Sequence, residues 1–242
     1  MKVYNFAAGP SMMADEVKRA AQRDFLDYNG SGMSVVEMSH RSKWYDEIHN
    51  EALSSFRELM KVPDDYYVLF LQGGASTQFE AVPLNLLQKG RADYIVTGNF
   101  SNKAYKEAVK YGDIACVASS KEDNYTYIPD VDKISFRGDT DYVHITANNT
   151  IFGTKYEKYP GVNNLVADMS SMILSEPVDV SKFNLIYAGA QKNVGPAGLT
   201  IVIVRKDLIN NPMPICPTML RYSTQAEKQG KNVEDLTLDE ME

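Results

Sequence analysis

The stretch FNLIYAGAQKNVGPAGLTIVIVRKDL, residues 183–208, decides how this chain can fold. It contains two apolar runs, FNLIYAG and LTIVIVRKDL, which are predicted strands separated by the glycine-rich turn AQKNVGPAG. Both runs are continuously apolar rather than alternating, a pattern typical of strands that helices cover on both faces. The stretch therefore predicts a mostly parallel sheet between two layers of helices.

Outward from this stretch, five earlier runs have the same character, and helical patterns follow several of them. The five further predicted strands are 66–71, 92–98, 113–119, 141–147 and 163–169. The predicted helices are 11–27, about 43–60, one from Ser76 as N-cap to a stop at Gly90, and 101–112. We therefore expect an α/β fold with a seven-stranded, mostly parallel sheet and helices on both faces.

Composition excludes several classes of protein. With 44% apolar and 24% charged residues among 242, the chain is not of the disordered kind. Its net charge of −7 argues against a general nucleic-acid-binding surface. No stretch approaches the ~18 apolar residues of a membrane span, and the N-terminus lacks a secretory signal. The two cysteines, Cys116 (expected to be packed) and Cys216 (expected to be partly exposed), suit a reducing cytoplasm.

Lys192 and Asp168 are the first candidates for chemistry. Lys192 lies among small residues in the turn between the last two strands, where desolvation would lower its pKa and make it a nucleophile. Asp168 ends an apolar strand, where an unpaired carboxylate is costly. Together they suit a pyridoxal phosphate site, with the lysine carrying the cofactor as an imine and the aspartate pairing with the pyridine nitrogen. The alternatives are a surface lysine and a capping or salt-bridged aspartate.

Other candidates follow strands or lie in the N-terminal loop. Gly73 to Ser76 open a helix whose N-terminus suits a phosphate, although a plain tight turn explains them equally. Phe100 could stack on an aromatic ring or belong to the core, and Thr150 also follows a strand. The adjacent His40 and Arg41 suit a carboxylate or phosphate ligand, or a surface ion pair.

The three histidines show no metal-ligand spacing, so no metal site is predicted. His144 lies in an apolar strand and is expected to be a core residue.

Taken together, six motifs resemble the phosphoserine aminotransferases, which are fold-type I, class V pyridoxal-phosphate enzymes. The motifs are NFAAGPSMM, GMSVVEMSHRS, FLQGGASTQFEAVP, ANNTIFGT, VADMSS and AGAQKNVGPAGL, and the resemblance runs to about Gln229. It implies transamination between glutamate and 3-phosphohydroxypyruvate in serine biosynthesis, by a homodimer. Some bacterial members also serve pyridoxine biosynthesis.

The resemblance also implies roles for individual residues. Lys192 would carry the cofactor and move the proton, and Asp168 would pair with the pyridine nitrogen. The other implied cofactor contacts are Ala75, Ser76 and Gln191 at the phosphate, Thr150 beside the ring, and Phe100 where many members stack a tryptophan. Arg41 would hold the substrate carboxylate, with His40 lining the pocket. Some members have an arginine where Ser76 stands, so one phosphate contact differs here.

The resemblance divides the chain into three parts. We expect residues 1–15 to be an N-terminal arm that contributes to the small domain and substrate site, and residues 16–222 to be the cofactor-binding large domain. Residues 223–242 are expected to be an acidic tail, disordered or aberrant. From Ala226 onward six acids accompany only two bases, which favours a solvated helix or a disordered end over core. Family members continue past residue 242, so we expect the small C-terminal domain to be largely missing.

Three functions stay open at this point. The first is the aminotransferase itself, and the second is a catalytically impaired chain that binds pyridoxal phosphate, or another class V aminotransferase. The third is a nucleotide-dependent oxidoreductase, against which the absence of GxGxxG and Walker A motifs counts.

Overall fold

The computed structural model describes residues 3–230, and a seven-stranded sheet forms its centre. The strands are β1 (Tyr66–Leu71), β2 (Arg91–Val96), β3 (Asp113–Ser119), β4 (Tyr142–Thr146), β5 (Leu165–Asp168), β6 (Leu185–Gly189) and β7 (Thr200–Arg205). Their order in the sheet is β1-β7-β6-β5-β4-β2-β3. The strands from β2 to β6 pair in parallel, whereas β7 runs antiparallel to both β6 and β1. The predicted mostly parallel sheet is confirmed.

Helices cover both faces of this sheet, as predicted. Within residues 3–230 the helices are α1 (Asp15–Leu26), α2 (Lys43–Met60), α3 (Gly74–Leu86), α4 (Asn99–Ala108) and α5 (Tyr222–Gly230), and those that pack on the sheet are α2 to α5. One apolar cluster joins Phe56 and Met60 of α2 to one face of the strands. A second cluster joins buried residues of α3, α4 and α5 to the opposite face. The sheet is therefore buried on both sides, which accounts for its continuous apolar runs.

The start and end of α3 differ from the prediction. Its N-cap is Gly73, with φ 97°, and Ser76 lies inside the first turn, so Ser76 as the N-cap is wrong. The helix starts early because Gly73 tolerates positive φ, a conformation that costs a residue with a side chain more. Thr77 Oγ1 donates back to the Gly73 carbonyl at 2.7 Å. At the other end α3 stops at Leu86, before Gly90.

The tail prediction for residues 223–242 is wrong at its start. These residues begin inside α5, where Tyr222 is 1% and Ala226 7% exposed. Both pack in the cluster formed with α3, because residues four apart lie on one face of a helix. Tyr222 also donates its amide to Asn85 Oδ1 at 3.0 Å and its hydroxyl to Gln78 Oε1 at 2.7 Å. The rest of the predicted tail, residues 231–242, lies outside the described residues.

Both cysteine predictions are wrong, and the histidine prediction is confirmed. Cys116 is exposed because β3 is an edge strand, whereas Cys216 is buried at 2% exposure. His144 is 1% exposed and belongs to the interior. Within residues 3–230, no helix has both the length and the apolar character that crossing a bilayer requires.

Candidate active site

Lys192 lies in the turn after β6, at the carboxyl end of the parallel strands. The amides of Val194 and Gly195 both donate to the Ala190 carbonyl, at 3.1 and 2.9 Å, which closes a tight turn around it. Its Nζ donates to Thr150 Oγ1 at 2.8 Å and stands 4.8 Å from the centre of the Phe100 ring. Burial lowers the pKa of Lys192, and the charge of Asp168 acts in the opposite direction. The amine is thus held on one hydroxyl and one aromatic face, with part of its hydration removed.

Asp168 ends β5 and is only 5% exposed. Burial raises its pKa, while bonds from Ser170 and the charge of Lys192 act to lower it. Its Oδ1 accepts from the Ser170 amide at 2.9 Å and from the Ser170 hydroxyl at 2.6 Å. A buried carboxylate of this kind gains from a cationic or protonated partner.

Ser170 has a role that was not predicted from the sequence. Its Oγ accepts from the Gly189 amide at 3.0 Å, so its only proton is directed to Asp168. Ser170 therefore links the Asp168 carboxylate to the backbone of β6 and holds that carboxylate in place. The only signal in the sequence was a small residue after a strand-end acid.

Phe100 and Thr150 face Lys192 from two different connections. Phe100 lies in the first turn of α4, after β2, and Thr150 lies in the turn after β4. Lys103, an exposed residue of α4, also approaches the Phe100 ring, at 5.5 Å. Carboxyl ends of parallel strands meet at one edge of a sheet, which is why these distant residues come together.

The N-terminus of α3 suits an anion. Gly73 and Gly74 both have positive φ, 97° and 72°, and the Gly73 cap makes no side-chain bond to the helix amides. No acidic residue stands in the first turn, which contains Ala75 and Ser76. The first amides of a helix with no side-chain cap bind phosphate and carboxylate groups well.

The N-terminal arm contacts the turn that contains Gln191 and Lys192. The Ser11 amide donates to the Gln191 carbonyl at 3.0 Å, and the Ser11 hydroxyl donates to the Lys192 carbonyl at 2.5 Å. A Cβ at Gly9 would come within 2.9 Å of Lys192 Cγ. The Gln191 side chain folds back over Gly189, and a Cβ at Gly189 would come within 2.6 Å of Gln191 Oε1. The arm contact was not predicted from the sequence.

His40 and Arg41 lie apart from these contacts, in the exposed turn before α2. The Arg41 amide donates to Ser39 Oγ at 3.2 Å. The structure thus joins Lys192, Thr150 and Phe100 by direct contact, whereas His40 and Arg41 lie in an exposed turn outside that group.

Comparison with known proteins gives one family and many relatives. Residues 3–234 match the family described as Aminotransferase class-V. The chain is 53% identical over 232 residues to the phosphoserine aminotransferase of Halalkalibacterium halodurans, a match that covers 95% of this chain and 64% of that protein. It is 55% identical to the enzyme of that name from Bacillus cereus, with the same coverage. The chain thus spans about two thirds of the length of these relatives, 64%.

Solved structures agree with these matches. The phosphoserine aminotransferase of Bacillus circulans subsp. alkalophilus superposes with a TM-score of 0.90 at 46% identity, covering 98% of this chain and 65% of that one. The pyridoxal-phosphate-bound phosphoserine aminotransferase of Trichomonas vaginalis superposes with a TM-score of 0.89 at 35% identity, covering 98% and 66%.

Proposed function

The chain belongs to the aminotransferase class-V family, and from this premise we propose that it is the cofactor-binding part of a phosphoserine aminotransferase. The proposed reaction moves an amino group from glutamate to 3-phosphohydroxypyruvate and gives phosphoserine and 2-oxoglutarate, a step of serine biosynthesis. The observation that carries the proposal is the half-buried Lys192 amine, held on Thr150 and Phe100 beside the buried Asp168.

The donor set fits pyridoxal phosphate at three points. The N-terminus of α3, with Ala75 and Ser76 in its first turn, suits the phosphate. The Phe100 face suits the ring. Asp168, whose pKa burial raises, suits a protonated ring nitrogen, because the pair removes the cost of an isolated buried charge. When bound, the cofactor supplies an aldehyde for the amine and a ring that withdraws electrons.

The chain's own residues supply positioning and proton transfer. Lys192 is the proposed nucleophile and proton carrier, since a lysine of lowered pKa is neutral more often. Thr150 holds the lysine amine, and Gln191 adds a polar contact near the phosphate. Arg41 is proposed to bind the substrate carboxylate through its planar guanidinium, with His40 beside it. Both are exposed residues of the turn before α2, and we propose that they bind substrate in a site completed between two subunits of a homodimer.

The proposed division of the chain follows from the same contacts. Residues 3–15 act as an arm against the lysine turn, which the Ser11 bonds support. The cofactor-binding domain extends through α5 rather than ending at residue 222, since Tyr222 and Ala226 pack on α3. Full turnover is proposed to need the further length that the relatives possess, whereas a spectral response to glutamate is expected of this chain.

Labelling of the lysine tests the proposal. The chain is incubated with pyridoxal phosphate, reduced with borohydride and mapped by peptide mass spectrometry. We expect the pyridoxyl label on Lys192 and none on Lys103, which approaches the same Phe100 ring but is exposed. Lys192→Met should abolish the label and Lys103→Met should leave it. A label that persists in Lys192→Met would overturn the assignment.

Substrate choice is tested on the cofactor-loaded chain by its absorbance. Glutamate should change the spectrum at concentrations where alanine does not, and Arg41→Lys should weaken the glutamate response without changing the label on Lys192. A response to alanine equal to that for glutamate would favour another class-V aminotransferase. A labelled chain with no response to any amino acid would mean a binding fragment.

A further inference from the structure

Three hydrogen bonds lead away from the Lys192 amine in a single line. Lys192 Nζ donates to Thr150 Oγ1 at 2.8 Å, and Thr150 Oγ1 lies 2.8 Å from Ser171 Oγ. Ser171 Oγ in turn donates to Asn148 Oδ1 at 2.8 Å. All three residues beyond the lysine are half-buried, in the turns after β4 and β5.

The amide oxygen of Asn148, at the end of this chain of hydrogen bonds, determines which atom donates in each bond. An amide oxygen only accepts, so the single proton of the Ser171 hydroxyl goes to Asn148. The Thr150 hydroxyl must then be the donor to Ser171. Its oxygen lone pair is consequently the part that faces Lys192.

The surrounding backbone holds both turns in place. Ala147 donates its amide to the Asp168 carbonyl at 2.9 Å, which ties the turn after β4 to the end of β5. Asn148 pairs with Lys155 in a short antiparallel bridge. Because the backbone of both turns is held, we expect the Ser171 and Thr150 side chains to keep their relative positions. The motion left to Thr150 is rotation of its hydroxyl proton about the C–O bond.

We propose that Ser171, anchored by Asn148, is a positioning residue that keeps the Thr150 lone pair on the Lys192 amine. A lone pair accepts from an ammonium and cannot donate to a neutral amine, so this orientation favours the charged form of the lysine and acts against the effect of burial. Without Ser171 the Thr150 proton is released and can bond the neutral amine. Among the described residues, the charged groups near Lys192 are Asp168 of β5 and Lys103 of α4, which approaches the same Phe100 ring, and neither changes in the variants below.

This inference rests on the proposed role of Lys192, so its test reads the lysine without cofactor. The chain is treated with trinitrobenzenesulfonate over a range of pH, and modification of Lys192 is followed by peptide mass spectrometry with Lys103 as internal reference. At a pH below the pKa of Lys192, Ser171→Ala should raise its modification rate about fivefold, the factor for a hydrogen bond of about 1 kcal/mol. If wild type takes no pyridoxal phosphate on Lys192, the proposed function fails and this measurement still stands.

Matched variants separate the hydroxyl from general damage. Ser175→Ala removes a hydroxyl from an exposed residue of the same connection, bonded to the Met172 carbonyl, and should leave the Lys192 profile at the wild-type value. Ser171→Thr keeps the hydroxyl, so it should also match wild type. Asn148→Leu should reproduce the Ser171→Ala effect, and it decides the question if Ser171→Ala does not fold. An unchanged profile in Ser171→Ala, or an equal shift in Ser171→Thr, overturns the proposal.

Discussion

The sheet region (residues 66–205) and the N-terminal segment (residues 3–42) are built in opposite ways. In the sheet region the side chains of Asp168 and His144 are 5% and 1% exposed, and both have hydrogen-bond partners within the chain. In the N-terminal segment no residue of α1 is buried, and Phe6 and Leu26 are 94% and 80% exposed. The sheet region thus draws its stability from contacts inside this chain, whereas the N-terminal segment has few of them. Exposed apolar side chains, such as those of the N-terminal segment, are typical of protein interfaces.

A pair of identical substitutions gives the largest expected contrast. Phe183 is 1% exposed and packs edge-on against Tyr159 at 5.0 Å between ring centres, so Phe183→Ala should cost about 3–5 kcal/mol of unfolding free energy. Phe6→Ala removes the same ring from an exposed position and should stay within about 0.5 kcal/mol. Urea unfolding with linear extrapolation measures both. An equal loss in Phe6→Ala would break the comparison, since it would mean that the N-terminal segment is packed in solution.

Acidic residues offer the next contrast. Asp93 is fully buried, 0% exposed, and accepts from the Arg137 amide at 2.8 Å and from its Nε at 2.6 Å. Asp93→Ala should cost about 3 kcal/mol, the low end for a broken buried pair, because the Arg137 side chain is 28% exposed. Asp15→Ala cuts the α1 ion pair with Lys18, at 2.7 Å, and should cost less than about 1 kcal/mol. The same urea series measures both, and similar losses would contradict the contrast.

Histidines extend the contrast to pH. Burial lowers the pKa of His144 from 6.5 to about 3, so the folded chain keeps this ring neutral while the unfolded chain protonates it. Its stabilising effect is therefore complete above pH 6.5 and is lost as pH falls toward 3, at up to about 1.4 kcal/mol per pH unit. Asp168, whose pKa is raised, contributes with the opposite sign, so variants are needed to isolate the histidine.

The measurement is the acid slope of the unfolding free energy between about pH 6 and pH 4. His144→Gln should flatten this slope, whatever its effect on stability at neutral pH. An acid slope in His144→Gln equal to that of wild type would contradict this assignment.

The sequence predicts the sheet region well because one local property, the continuous apolar run, decides each strand. The bounds of β1, β3 and α2 match their predictions to the residue. The antiparallel direction of β7 was not predicted, because apolar content does not depend on strand direction. The start of α3 was missed because a glycine with positive φ can cap a helix without any side chain.

The sequence identified most residues of the candidate site but few of the hydrogen bonds between them. Lys192 and Thr150 were found as polar residues after strands, and the structure joins them directly. The bonds of Ser170 and Ser171 depend on turns brought together by the sheet, so nothing local in the sequence indicates them. The Ser11 bond to the Lys192 carbonyl links residues 181 positions apart, which no spacing rule reaches.

The smallest expected effect lies where the N-terminal segment ends, at the start of α2, the helix that connects it to the sheet region. Ser42 is the N-cap of this helix, and its side chain accepts from the Tyr45 amide at 3.2 Å. Ser42→Ala leaves that amide without its cap and should cost about 1 kcal/mol. Ser54→Ala makes the same change inside α2, where the exposed hydroxyl bonds the Glu51 carbonyl at 3.0 Å, and should be neutral or slightly stabilising because alanine favours helices.

The two serine variants also decide which region the first turn of α2 belongs to. If that turn unfolds together with the sheet, the loss in Ser42→Ala appears in the global urea transition. If it frays with the N-terminal segment, the global transition stays at its wild-type midpoint and only amide exchange near Tyr45 speeds up, because local opening is cheaper than unfolding. We expect the first result, since Phe56 and Met60 at the far end of the same helix are buried against the sheet and an unbroken helix transmits their anchoring. The second result would move the border from Ser42 into α2 itself.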